Sequence, residues 1–171
     1  MSFIETEMRE GEAELLMVAG ADDSHLYLFR GERIHSRYKH HYGEVTCLEV
    51  SNEFILSGGR DGRAVLWKVL KEGNTAHLRR IKAFSLIDSK EMADEPQKAV
   101  AFPQFNIQSV ALGVNRVVLG TRTGNVTEFE ISKEGRAHAH NVHLIEPDEV
   151  TNGISWMQCV DNEMPLSIAT D

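Results

Sequence analysis

The feature that most constrains this chain is that it repeats itself. Its clearest unit runs from His41-Tyr42-Gly43-Glu44 into Val45-Thr46-Cys47-Leu48-Glu49-Val50, turns at Ser51-Asn52-Glu53, and continues as Phe54-Ile55-Leu56-Ser57-Gly58-Gly59-Arg60-Asp61-Gly62-Arg63-Ala64-Val65-Leu66-Trp67. Val45 to Val50 alternates apolar with polar residues, Phe54 to Ser57 is a compact apolar run, and Ala64 to Trp67 follows the hairpin signal Asp61-Gly62, so three short antiparallel strands are predicted. Moved 38 positions towards the N-terminus, the pattern lands ungapped with Gly20 on Gly58, Asp23 on Asp61 and Phe29 on Trp67. Moved 62 positions the other way, it covers Ile107 to Val110, Val117 to Gly120 and Thr123 to Phe129, with Gly120, Gly124 and Phe129 in register. A shift of 111 puts Trp156 to Cys159 on the first strand and Leu166 to Asp171 on the second, where the sequence stops before its hairpin turn. A unit of this size cannot bury its own apolar faces and must stack on its neighbours.

Between the second and third units the spacing grows by 24 residues, which locates an insertion at 87–104. Its Asp88-Ser89-Lys90-Glu91 and Asp94-Glu95-Pro96-Gln97 are polar and Pro-containing, as a loop requires. The chain therefore parses into an N-terminal segment 1–14 and units near 15–39, 40–86, 105–140 and 152–171. Strands are expected near 15–19, 26–30, 45–50, 54–58, 63–68, 107–112, 117–121 and 125–131.

Composition narrows the function classes. Over 171 residues, 42% hydrophobic and 26% charged side chains suffice for a packed core, and 18 basic against 26 acidic residues disfavour a protein that coats nucleic acid or an anionic membrane. Cys47 and Cys159 have no nearby Cys or His to complete a zinc pattern, so neither a disulfide framework nor a metal site is expected, and a reducing compartment fits. No run of 18 apolar residues occurs and Met1-Ser2-Phe3-Ile4-Glu5 lacks an apolar signal core, which points to a soluble intracellular chain.

With the repeat in hand, the second unit resembles the WD-repeat family: His41-Tyr42-Gly43, the small-residue run Ser57-Gly58-Gly59, Asp61 in the turn, and Trp67 closing the unit. The resemblance implies an all-β fold, a β-propeller of four-stranded blades, here about three and a half of them and hence an incomplete ring. It also implies a structural set in which Asp61 holds His41, Ser57 supports that His, and Trp67 packs beside them and donates its indole N–H. The first unit keeps Asp23 but has Phe29 for the Trp, and the third has Thr123 and Phe129, so neither can build the full set. More narrowly, Ser24 to Glu32, His41 to Val45, Leu56 to Asp61, Ile107 to Val110 and Val118 to Asn125 are similar to consecutive blades of echinoderm microtubule-associated protein-like proteins. The hydrophobic motif that opens the propellers of that family has no counterpart in this sequence. This similarity implies a microtubule-associated scaffold of the cytoplasm, in the cytoskeleton or in a cilium or axoneme, with tubulin or microtubule-bound proteins as partners. The alternative is an adaptor subunit of some other intracellular complex. Too few blades to close a ring implies that the rest of a propeller, or a second chain, completes it.

Other constellations carry less. His138-Ala139-His140-Asn141-Val142-His143 as a strand would put His138 and His140 on one face and His143 on the other, so the three would not converge on a metal. No Gly-x-Ser-x-Gly or phosphate-binding loop is present, and the glycines at 58, 59 and 62 precede a strand where a phosphate loop needs a helix; neither an enzyme nor a cofactor is expected. Basic residues cluster where each unit's outermost strand should lie: Arg33, Arg37 and Lys39 in one, Arg79, Arg80 and Lys82 in the next. Such charges guard an edge strand against aggregation; the functional reading is a basic outer rim that meets an acidic partner such as the tubulin surface.

Overall fold

The structure, a computed structural model, describes residues 2–7, 13–72, 75–87, 95–131, 137–142, 154–159 and 166–170. Three four-stranded antiparallel meanders and one hairpin succeed each other along the chain. The first comprises β1 (Ser2–Glu7), β2 (Ala13–Gly20), β3 (His25–Arg30) and β4 (Arg33–Lys39). The second comprises β5 (Val45–Ser51), β6 (Phe54–Gly59), β7 (Arg63–Glu72) and β8 (Thr75–Ser85). The third comprises β9 (Ile107–Leu112), β10 (Arg116–Thr121), β11 (Val126–Ile131) and β12 (Ala137–Val142), and β13 (Ile154–Cys159) pairs with β14 (Leu166–Thr170). Each strand expected from the sequence forms, to within a few residues. The opening strands β1, β5, β9 and β13 pack against one another in order, so every sheet presents its first strand to a common inner edge and its last to the outside. Among the described residues this is an arc of β-propeller blades, three of four strands and a fourth with two.

The sequence reading set residues 1–14 aside as a leading segment. In the structure Ser2–Glu7 pairs along β2, from Ser2 opposite Val18 to Glu7 opposite Ala13, and opens the first blade. Displaced by 38, the repeat template places that strand at 7–12, so β1 begins ahead of the template's register.

Two apolar layers hold the arc together. Leu16, Val18, Leu26 and Leu28 of the first blade meet Val45, Ile55, Val65, Trp67 and Val69 of the second. The opposite face of the second blade, Leu56, Ala64, Leu66 and Phe84, meets Ile107, Val110, Val117, Leu119 and Phe129 of the third. The middle sheet is thus buried on both sides, and β6 and β7 read as continuous apolar runs for that reason. Burying one such Leu is worth about 1.5–3 kcal/mol. Leu16, Val18, Leu26, Leu28, Ile107, Val110, Val117 and Leu119, in the units on either side of the second, are all buried. Strand alternation turns them towards the adjoining blade, and on the first blade it leaves Met17, Tyr27 and Phe29, only partly covered, facing the other way.

The insertion is not a plain loop where it is described. Residues 95–105 form two short 3-10 turns, Pro96–Ala101 and Pro103–Phe105, with Ala99 fully buried. Val100 packs on Gly43 and Phe105 on Gly62, so the insertion is pinned over the loops of the second blade. Its acidic stretch 88–94 lies outside the described residues.

Candidate functional site

The chain turns from β4 into β5 at His40-His41, and from β6 into β7 at Arg60-Asp61-Gly62. Gly62 adopts φ +71°, a left-handed conformation that glycine takes without strain, and this closes the second turn tightly enough to aim Asp61 back at the first. Asp61, fully buried, accepts three hydrogen bonds: from the His41 ring at Oδ1 (3.1 Å), from the Tyr42 backbone N–H at Oδ2 (2.8 Å), and from the Arg63 backbone N–H (3.3 Å). The other His41 nitrogen lies 2.9 Å from Ser57 Oγ, and Trp67 Nε1–H donates to the same oxygen at 3.0 Å.

A carboxylate only accepts, so His41 Nδ1 carries a hydrogen, and Trp67 Nε1–H donates to Ser57 Oγ, whose own hydrogen is shared between two acceptors, His41 Nε2 at 2.9 Å and the Val65 carbonyl at 3.4 Å. The run from indole to carboxylate leaves no polar atom orphaned, which a buried carboxylate requires. Trp67 is also flanked by His40, with ring centroids 5.1 Å apart, and edge-on by Tyr38 at 5.9 Å. The His40 imidazole is held below its ordinary pKa by burial, with Arg80 and His41 adding to the effect.

The flanking blades fill the same positions differently. Asp23 sits at the surface, its carboxylate accepting from Tyr27 Oη (2.5 Å) and the His25 N–H (3.1 Å), and the Tyr27 hydrogen bond draws its pKa down. Thr123 bonds locally to Thr121 and Asn125, with no histidine partner. The four residues His41, Ser57, Asp61 and Trp67 therefore come together in the second blade, which sits between two others.

Two glycines that the sequence reading treated only as a small-residue run make this possible. A Cβ on Gly59 would stand 2.5 Å from His41 Nδ1 and 2.7 Å from Asp61 Oδ1, so only glycine admits the pair. A Cβ on Gly58 would stand 2.6 Å from Cys47 Sγ and 2.7 Å from Ile107 Cγ2, at the seam with the third blade. Across that seam the Thr46 hydroxyl bonds the Ile107 carbonyl. Cys47 is embedded there, its thiol pushed up to about 12 by burial, so it is not a thiolate at neutral pH. Glu49, two residues on, is pushed up to about 7 by burial, opposed by a hydrogen bond from the Leu112 backbone. The sequence does not show the burial of either residue, because both depend on which face of β5 meets β9.

The basic residues fall on the outer strands. Arg33, Arg37 and Lys39 are exposed on β4, the edge of the first sheet; Arg79 and Arg80 are exposed and Lys82 half-buried on β8, the edge of the second. Each group surrounds an exposed isoleucine, Ile34 at 58% and Ile81 at 45% exposure. The two edges are tied by a hydrogen bond from the Leu78 N–H to Tyr38 Oη (2.9 Å). Among the described residues no three His, Cys, Asp or Glu side chains converge as metal ligands, and no helix is long and apolar enough to cross a membrane. His138 and His140 lie on β12, whereas His143 lies outside the described residues.

By sequence the chain matches no protein-family model and no curated protein. By structure it is similar to several propellers. The Myceliophteria thermophila Cps50 (Swd1) β-propeller domain superposes with a TM-score of 0.59 at 13% identity, over 90% of this chain and 43% of that one. The computationally designed Ika4 protein gives 0.56 at 17% identity, over 91% and 84%. Chaetomium thermophilum Raptor gives 0.57 at 14% identity, over 97% of this chain and 14% of that one. Likeness at these identities establishes the fold.

Proposed function

We propose that this arc of propeller blades is a non-catalytic WD-repeat scaffold that binds protein partners, and that it is microtubule-associated, in the cytoskeleton or a ciliary axoneme. The observation that carries the finer reading is the pair of adjacent outer strands, β4 and β8, on which exposed Arg33, Arg37, Lys39, Arg79 and Arg80 surround exposed Ile34 and Ile81. Charges placed only to stop edge-to-edge pairing have no need of an exposed isoleucine among them. A basic stripe with apolar centres complements an acidic protein surface, and tubulin presents one. The hydrogen-bonded set of His41, Ser57, Asp61 and Trp67 serves structure in this reading: it locks the turns of the middle blade so that both edges are held in place. The partly covered Met17, Tyr27 and Phe29 face of the first blade is where further blades or a second chain would dock.

The test is co-sedimentation of the chain with microtubules across a salt series. Binding through a basic rim weakens as screening rises, and the double substitution Arg79→Glu with Arg80→Glu should abolish it. Salt-independent pelleting, or pelleting that survives the double substitution, rules the rim reading out. The net charge of −8 favours a second reading, an adaptor in another intracellular complex, since an acidic chain is repelled by tubulin everywhere except at such a stripe.

A further inference from the structure

The outer half of the third blade brings together four residues that neither the hydrogen-bonded set nor the basic edges use. In the pairing of β11 with β12, His140 stands opposite Glu128 and His138 opposite Glu130. Residues directly opposite each other in an antiparallel pair share a face, and so do residues two apart on one strand. Glu128, Glu130, His138 and His140 therefore occupy the four corners of one patch, about 4.5–5.5 Å between Cβ positions across the strands and about 7 Å along each strand. The face is the one turned away from the second blade, because Val117, Leu119 and Phe129, on the other face, pack against the second blade. Its inner half is filled, with Ala111 and Val118 buried and β13 packed along β9 and β10. The four residues lie outward of that packing, on the last two strands of the sheet.

The sequence by itself argues against a metal here, since His138 and His140 share a face and His143 takes the other. The register supplies in place of the third histidine two carboxylates from the neighbouring strand, which no local pattern could set beside the imidazoles. Two imidazoles and two carboxylates are ligand types of zinc, which takes four donors in a tetrahedron at about 2.0–2.2 Å for nitrogen and oxygen. Magnesium and calcium take oxygen ligands, so a half-imidazole set disfavours both. Glu130 is exposed, and Glu128 Oε1 lies 3.0 Å from Arg116 Nη1, with both side chains part-exposed. Arg116 sits on the same face, opposite Glu130. An ion pair open to water holds weakly, so a divalent cation can draw the Glu128 carboxylate from Arg116 by a turn of that side chain.

We propose that Glu128, Glu130, His138 and His140 form a zinc-binding site that clips the edge strand β12 to β11. Among the described residues β12 is the last strand of its sheet and pairs on one side only. An ion held by both strands adds a cross-link that the unfolded chain does not offer, so zinc binding stabilises the folded blade. The inference goes beyond the scaffold reading and stands whatever partner the blades bind.

The experiment is a calorimetric titration of the full chain with zinc, and with cobalt(II) as the spectroscopic probe. One zinc ion should bind per chain with a dissociation constant of about a micromolar or below, undiminished by a large excess of magnesium or calcium. The cobalt form should show the visible absorption of a four-coordinate ion without the thiolate charge-transfer band that Cys47 or Cys159 would give. His138→Ala with His140→Ala, and separately Glu128→Gln with Glu130→Gln, should each weaken zinc binding at least about a hundredfold, since losing a group that only orients a metal ligand already costs about ten- to a hundredfold. His25→Ala with His77→Ala removes histidines elsewhere and should leave the affinity unchanged. Zinc should raise the thermal midpoint of the wild type and of neither site variant, and midpoints measured without zinc establish that the variants fold. No zinc binding in the micromolar range, equal affinity in the wild type and the His138 and His140 variant, or loss of binding in the His25 and His77 variant would overturn the proposal.

Discussion

Replacing Asp61 by alanine removes three acceptor contacts at once. The His41 ring is buried, 2% exposed, and loses its only partner on that side; the Tyr42 and Arg63 N–H groups are part-buried and can recruit water. An orphaned buried donor costs about 1–3 kcal/mol, and water entering the vacated space recovers part of what the two backbone groups lose, so the net destabilisation is about 1–3 kcal/mol. For a chain of this length that lowers the unfolding midpoint by roughly 3–10 °C. Thr123→Ala, at the matching position of the third blade, removes only exposed local hydrogen bonds and should stay within about 0.5 kcal/mol. Asp61→Asn should fall between the two, since the amide keeps an acceptor and the His41 ring can exchange tautomers. The assay is urea unfolding followed by Trp67 fluorescence in a Trp156→Phe background, where Trp67 is 1% exposed and reports the blade directly. Equal midpoint shifts for Asp61→Ala and Thr123→Ala would refute the reasoning, because the buried set would then contribute nothing beyond an ordinary turn.

The remaining expectations concern the seam between the second and third blades. The Glu49 carboxyl is raised to about 7 by burial, above its unfolded value near 4.5, so the folded state binds that proton more tightly; stability is full below pH 4.5 and declines as pH rises towards 7. Glu49→Gln should flatten that part of the stability profile, and an unchanged slope in urea titrations at successive pH values would count against it. Gly58→Ala drives a methyl into Cys47, Ile107 and Val110, and should destabilise by about 1–3 kcal/mol while Gly31→Ala, with open space around it, owes any cost only to its left-handed backbone. Comparable thermal midpoints for wild type and Gly58→Ala would show that the seam can open to accommodate it.

Much of the blade was readable in the sequence. Period-2 apolar patterns, the turn residues and the repetition of both at fixed offsets are local properties, and they placed the strands between 15 and 131, while the WD-repeat resemblance matched His41, Ser57, Asp61 and Trp67 to one blade. What the sequence could not show depends on which face of a strand meets another sheet. Leu16 and Leu119 are buried because a blade hides one face against its neighbour, and the alternation alone does not say which. The β1 strand escaped the repeat because it begins ahead of the register the template gives it. Gly59 looked like one of several small residues until the His41 and Asp61 side chains were seen to fill the space its Cβ would take. The insertion read as a polar loop, and its Val100 and Phe105 contacts with Gly43 and Gly62 join positions far apart in sequence. Strand identity follows from the chemistry of neighbouring residues and is fixed locally. The raised pKa of Glu49 and the fit of the glycines follow from desolvation and close packing between blades, which exist only once the sheets have stacked.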